Sequence, residues 1–201
     1  MNTQMRYAIG LAWMAVGALW IVPQTALAAP SLQPGMAAPD FVLQDHAGKT
    51  HALADYKNKI VVLNFSSQLC PWSIAVDKDL PRLAAEYASK DVVVLSIDSH
   101  KDTRPDEIKA YAEEHKLPYP ILKDAGNAYA DAVGATRTPE FFVLNKEGKI
   151  VYHGPFDDRK APDETGETAH LKTAIDETIA GTPVSRAEIP AWGCSIKRVK
   201  K

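Results

Sequence analysis

Two short runs, Ile60 to Phe65 (IVVLNF) and Val92 to Ile97 (VVVLSI), are almost wholly apolar and rich in β-branched residues. Runs of that length and kind predict strands buried on both faces. Between them Val76, Leu80, Leu83, Ala84 and Tyr87 recur at helical spacing. They predict a helix from Pro71 to Ser89, with a kink or break at Pro81. Upstream, Phe41 to Leu43 and Thr50 to Leu53 flank Asp45-His46-Ala47-Gly48 and read as a β-hairpin. Downstream, Arg104 to His115 reads as a helix with Pro105 in its first turn and acids just after it. Ala128 to Val133 is a shorter helix ended by Gly134, and Glu140 to Asn145 and Lys149 to His153 are strands around Lys146-Glu147-Gly148. Leu171 to Ala180 is a last helix stopped by Gly181, and the tail beyond Thr182 has no clear periodicity. Strands alternating with helices, then a closing hairpin, predict an α/β fold: a central mixed sheet with helices on both faces and its two early strands parallel.

The N-terminal segment changes the setting. Arg6 is the only charge in residues 1–28. The uncharged run from Ala8 to Val22 is about 15 residues, short of the roughly 20 that a membrane span needs. Pro23 breaks it, and Ala26, Leu27 and Ala28 supply a small-x-small cleavage site. That layout predicts a secretory leader cut after Ala28, with export to a bacterial periplasm and no stable membrane insertion afterwards; a retained anchor is the alternative. Residues 29–39, rich in proline and alanine, predict an extended lead-in, 40–181 the domain, and 182–201 a tail carrying Cys194.

Composition is that of a soluble globular chain, with 46% apolar and 24% charged residues. A net charge of −2 gives no reason to expect nucleic acid. Cys70 and Cys194 are the only cysteines. They exclude a disulfide-dense scaffold and a four-cysteine zinc site. His46, His51, His100, His115, His153 and His170 show no tight metal spacing, and Asp157, Asp158, Asp163 and Glu164 lack the regular spacing of a calcium loop. No metal or cofactor is expected.

The informative segment runs from Asn64 to Ser73 (NFSSQLCPWS). A buried strand ends, a short loop follows, and Cys70 stands where a helix begins, with Pro71 at its first position. First-turn N–H groups then point at the sulfur and favour its anion, which is the reactive species in exchange and in peroxide reduction. A buried inert cysteine is the alternative.

From about Gly35 to Gly181 the chain resembles the thioredoxin-fold redox proteins, especially the peroxiredoxin-like (AhpC/TSA, redoxin) branch. Cys70 to Ser73 falls where thioredoxins carry Cys-x-x-Cys, and Thr138-Pro139 resembles the cis-proline loop of that fold. The resemblance implies a cis Pro139 facing Cys70, a substrate edge formed by Pro71, Trp72, Thr138 and Pro139, and a thiol oxidoreductase. Phe156-Asp157-Asp158-Arg159 and Gly193-Cys194-Ser195-Ile196-Lys197 resemble a bacterial peroxiredoxin-like subgroup.

The departures shape the chemistry. Ser73 replaces the second thioredoxin cysteine, so no local dithiol exists. Peroxiredoxins usually carry Thr three positions and Pro seven positions before the reactive cysteine; this chain has Ser67 and Leu63. Relatives with the Gly-Cys-Ser-Ile-Lys tail often have cysteine where Ser67 stands. Ser67 could offer a hydroxyl to a bound peroxide. Arg137 is the candidate for the arginine that stabilises the thiolate, or else a solvated loop charge. Copper-handling relatives need two nearby cysteines and a histidine, which are not present here.

Cys194 is the one possible partner within the chain, and its role stays open. It is a resolving thiol, a permanent staple stabilising by roughly 4–5 kcal/mol, or a free or intermolecular thiol. The leading expectation is an exported peroxiredoxin-like enzyme. Cys70 attacks peroxide, Cys194 resolves the sulfenic acid, and an external thiol protein reduces the bridge. The alternatives are disulfide exchange with exported proteins and a non-enzymatic binding module. Trp72 and Trp192, each two residues from a cysteine, read as ordinary packing or as a rim that docks the tail or a partner. Lys197, Arg198, Lys200 and Lys201 make the terminus basic.

Overall fold

A computed structural model describes residues 32–200. The leader and its cleavage site lie outside the described residues. Seven strands form one mixed sheet and two more form a small second sheet. At the centre, β3 (Ile60–Phe65) pairs in parallel with β4 (Val92–Asp98), from Ile60 opposite Val92 to Phe65 opposite Ile97. On its other side β3 pairs antiparallel with β7 (Glu140–Leu144), and β7 pairs with β8 (Ile150–Gly154). Beyond β4 come β5 (Ile121–Lys123) and then the hairpin of β1 (Val42–Asp45) and β2 (Thr50–Ala52).

Alternation along the strands builds two cores. Val61, Leu63, Phe65, Leu95, Ile97 and Phe142 pack on one face with Tyr129, Ala130 and Val133 of α4 (Ala128–Val133). Ile60, Val62, Val94, Phe141 and Val143 face the other way. There they meet Leu80, Leu83 and Tyr87 of α2 (Leu80–Tyr87) and Leu171, Ala174 and Ile175 of α5 (His170–Ile179). All six β3 residues are buried, because helices cover both faces. A third helix, α3 (Pro105–Glu114), seats Ile108 and Ala112 on Ile121. Gly134 closes α4 at φ 79°, where a left-handed residue satisfies the last turn.

The helix expected from Pro71 to Ser89 is two helices, α1 (Pro71–Val76) and α2. The break falls at residues 77–79, before Pro81. Pro81 sits in the first turn of α2, where a missing N–H costs nothing. Asp77 makes the break by turning inward, where Tyr111 and Tyr119 donate their hydroxyls to its carboxylate at 2.9 and 3.0 Å. Burial raises the Asp77 pKa above the ordinary carboxylate value despite both hydrogen bonds.

Three strands have no counterpart in the sequence pattern: β5, β6 (Arg137–Thr138) and β9 (Cys194–Ser195). β9 belongs to the tail and pairs antiparallel with β6, placing Ser195 opposite Arg137 and Cys194 opposite Thr138.

Candidate active site

Register assembles the site. Phe65, the last residue of β3, lies opposite Glu140, the first of β7. The loop leaving β3 therefore runs beside the segment entering β7, and Cys70 meets Thr138. The Thr138–Pro139 bond is cis. The tail then lays Cys194 across Thr138 through β9, and two cysteines 124 residues apart come together with their sulfurs 2.7 Å from each other. Both are free thiols.

Cys70 caps α1 in extended backbone, with Pro71 following. Its Sγ lies 2.9 Å from the Thr138 carbonyl, which accepts the thiol proton. Burial is the largest influence on Cys70 and opposes ionisation. Hydrogen bonds from the Cys194 thiol, the Thr138 side chain and the backbone N–H groups of Ser73 and Cys194 outweigh it, and the Cys70 pKa falls below the ordinary thiol value. Cys194 moves the other way. Burial, the hydrogen bond to Cys70 and repulsion from the Cys70 charge push it up to about 11, against the backbone N–H of Trp72 and the charge of Lys197. Of the two thiols, Cys70 is therefore the one that ionises first, with Cys194 beside it as a proton donor.

The tail closes this site. Cys70 is 2% exposed, whereas Cys194 is half-buried. Trp192 packs against Trp72 with ring centroids 4.9 Å apart and planes tilted by 39°, one of the contacts between the tail and the start of α1. The Trp192 indole N–H donates to the Asp157 carbonyl at 2.9 Å. Arg159, its side chain 2% exposed, pairs with Asp157 at 2.7 Å and Asp79 at 3.1 Å. Its guanidinium lies 5.8 Å from the Trp192 ring centroid and 5.6 Å from that of Phe156. Past the cysteine, Ile196 is buried in the core, and the Val199 N–H donates to Asn127 Oδ1 at 2.8 Å.

The other expected site residues are distributed around this centre. Ser67 is buried, and its hydroxyl oxygen accepts the Leu69 N–H at 3.2 Å. Arg137 is exposed and donates from Nη1 to the Gly193 carbonyl at 3.3 Å and to Ser195 Oγ at 3.4 Å. It holds the tail rather than the Cys70 sulfur. Pro71 is exposed, Trp72 is half-buried, and Thr138 and Pro139 are buried beneath the tail.

Two site residues escape a reading of the sequence. Glu140 is 2% exposed; one carboxylate oxygen accepts the N–H groups of Thr136 and Arg137, each at 2.7 Å, and the other accepts His153 Nε2–H at 2.6 Å. It fixes the backbone of β6 on which Cys194 lies. Its signal was an acid opening the apolar strand EFFVL. Gly193, at φ 114°, passes so close to Thr138 that a Cβ would run into its carbonyl oxygen. Among the described residues, no group of three or more His, Cys, Asp or Glu is placed to hold a metal ion. Likewise, no helix there is long and apolar enough to cross a membrane.

A mixed sheet between helical layers, with a cysteine at the strand-to-helix junction facing a cis-proline loop, defines a thioredoxin-like redox fold. Residues 34–153 match the AhpC/TSA family, and the chain belongs to it. It is 30% identical over 120 residues to the thiol-disulfide oxidoreductase ResA of Bacillus thuringiensis subsp. konkukian, covering 58% of this chain and 66% of that protein. It is 31% identical over 149 residues to the chloroplastic peroxiredoxin Q of Populus jackii, covering 65% of each chain. The crystal structure of a hypothetical protein from Sinorhizobium meliloti superposes with a TM-score of 0.79 at 32% identity, over 85% of this chain and 97% of that one.

Proposed function

We propose that this chain is an exported peroxiredoxin-like thiol oxidoreductase that reduces peroxide through Cys70, with Cys194 as the resolving thiol. The observation that carries the reading is the pair of sulfurs 2.7 Å apart with opposed proton affinities. The Cys70 thiolate attacks one peroxide oxygen, the O–O bond breaks, and hydroxide leaves with a sulfenic acid on Cys70. The Cys194 sulfur then displaces the sulfenic hydroxyl as water, forming the Cys70–Cys194 disulfide. A thiol protein outside the chain returns the bridge to two thiols. The tail lifts to admit the oxidant and re-docks to resolve it. A water-sized peroxide needs a small opening, whereas a protein disulfide must reach a sulfur that is 2% exposed. Export rests on the leader at residues 1–28, and Pro71, Trp72, Thr138 and Pro139 form the rim around the sulfur.

Similarity to ResA supports a second reading, exchange of disulfides with exported proteins through a mixed disulfide at Cys70. Peptide mass mapping of the reduced chain before and after one equivalent of hydrogen peroxide separates the two. The proposal expects rapid loss of both thiols and a Cys70–Cys194 bridge, and in Cys194→Ser a sulfenic acid on Cys70 that dimedone traps. Oxidation no faster than that of free cysteine, with Cys70 instead captured in mixed disulfides by exported proteins, overturns it.

A further inference from the structure

His153 holds the tail from two directions. Its backbone belongs to β8, the edge strand of the large sheet. There its N–H donates to the Ala187 carbonyl at 2.8 Å, and its carbonyl accepts the Ile189 N–H at 3.0 Å. Glu188 is thereby bridged to His153, shortly before Trp192 and Cys194. The His153 ring lies flat on Phe142, with centroids 4.3 Å apart and planes within 7° of parallel, and gives Nε2–H to Glu140. Glu140 in turn holds the N–H groups of Thr136 and Arg137, and with them β6 beneath Cys194. One residue thus grips the segment that delivers the tail and, through Glu140, the strand on which the tail lands.

The second ring nitrogen is left over. Nδ1 is buried without a hydrogen-bond partner, and a Glu188 carboxylate oxygen stands 4.0 Å from it. With Nε2–H given to Glu140, the neutral imidazole presents a lone pair at Nδ1, which has nothing to offer a carboxylate. One added proton makes Nδ1 a donor, and the ring becomes a cation between two acids. The charged groups set against the ring are Glu140 from β7 and Glu188 from the tail. Arg137 of β6 turns its guanidinium to the Gly193 carbonyl and Ser195 Oγ, and the charge of Arg186 falls near Tyr152 and His170.

Resting on the reading in which Cys194 must meet Cys70 to resolve it, we propose that His153 is a positioning residue for the tail, whose protonated ring straps the tail to the sheet between Glu140 and Glu188. Proton uptake at Nδ1 supplies an N–H to the Glu188 carboxylate and makes the Nε2–H bond to Glu140 charge-assisted. Docking and protonation then favour one another. The tail is held tightest on the acid side of the His153 titration. It loosens as pH rises through that titration, and Cys70 opens more often to an oxidant when the ring is neutral.

The test reads the tail in the reduced full-length chain, without peroxide. Initial rates of Cys70 alkylation by iodoacetamide are mapped by mass from about pH 5 to about pH 8, the range of histidine titration. Each rate is divided by that of His153→Gln at the same pH, which cancels the thiolate fraction of Cys70. Glutamine offers Glu140 an N–H at every pH and takes up no proton. The NMR signal of the His153 ring Hε1, assigned by its loss in His153→Gln, gives the titration midpoint. The expected relative rate falls about threefold from the alkaline to the acid side, as an ion pair with one exposed partner implies, and shares the midpoint of the ring signal. Glu188→Gln, a change at an exposed position, abolishes the fall, so the wild-type rate divided by its rate shows the same drop. A relative rate flat in pH against both variants, a fall that persists in Glu188→Gln, or a ring that does not titrate in this range overturns the inference and leaves the peroxidase reading standing. Absence of the Cys70–Cys194 bridge after peroxide overturns both.

Discussion

Replacing Gly193 with alanine isolates the role of tail docking. Gly193 holds φ 114°, far from the left-handed helical region near +57° that other residues occasionally visit. A side chain forced into such backbone costs about 1–3 kcal/mol. The new Cβ would also collide with the Thr138 carbonyl oxygen, backbone that cannot swing aside, and press on the Pro139 ring at 3.2 Å. A cost of about 1–3 kcal/mol alone lowers the docked fraction relative to the undocked one by about 5- to 140-fold. The collision adds to this. The tail should therefore leave Thr138, carrying Cys194 away from Cys70.

The assay follows disulfide formation after a peroxide pulse in stopped flow. It reads the fluorescence of Trp72 and Trp192, whose ring contact breaks when the tail lifts. Dimedone labelling of Cys70 measures the waiting sulfenic acid. Gly193→Ala should slow bridge formation at least fivefold, lengthen the sulfenic acid lifetime to match, and expose Cys70 to alkylation. Gly148→Ala is the control, because Gly148 has φ 74° but open space around the added Cβ. It should cost some stability and leave the bridging rate alone. Bridge formation at the wild-type rate in Gly193→Ala would refute the reasoning, since docking would then not depend on this close approach.

Three further outcomes are expected. The peroxide-driven loss of the Cys70 thiol should rise with pH as the thiolate forms, with its midpoint below the ordinary thiol value of 9.0; a midpoint at or above that value in a pH–rate series contradicts the hydrogen-bonding account. Arg159→Gln leaves Asp157, itself 4% exposed, without its guanidinium, so urea unfolding should show a loss of about 3–5 kcal/mol, and a loss below about 1 kcal/mol would mark the pair as no more than a solvated contact. Because the Asp77 pKa is raised in the fold, the stability it contributes is fully present below its ordinary value of 3.8 and is lost as pH rises through the folded value; Asp77→Asn should therefore melt higher than wild type at pH 7 and the two should converge near pH 3, and parallel profiles in a pH series of thermal melts would contradict this.

Much of the architecture is legible because it depends on local pattern. IVVLNF and VVVLSI are too apolar to lie anywhere but between two helical layers, and β3 and β4 hold those places. Gly134 ends α4 as its position implies. The break in the 71–89 helix was displaced because proline was the visible breaker, whereas a buried carboxylate held by two distant tyrosines sets the boundary. β5, β6 and β9 are too short to carry a period; β5 exists because the longer β4 supplies its hydrogen bonds, and β6 and β9 because each pairs with the other across the chain. No window of sequence contains that information.

The site divides along the same line. Cys70 is readable from its own neighbours, since strand, loop, cysteine and proline follow one another directly. The environment that sets its chemistry comes from elsewhere in the chain: Thr138 across the β3–β7 register, Cys194 through β9, and Trp192 seated on the Asp157–Arg159 pair. Each arrives by a long-range contact, and the residues that secure the contacts do so by shape or burial. Gly193 matters for the side chain it lacks, and Glu140 for two N–H groups it holds out of sight. Arg137 shows how proximity in sequence misleads: it adjoins Thr138, yet its guanidinium reaches outward to the tail. The Cys70 sulfur is thus specified locally, whereas the thiol beside it and its cover are specified by the tail. A substitution far from Cys70 in sequence, at residues 157–159 or 192–197, should consequently alter resolution and reduction while leaving the sulfur's own loop and helix intact.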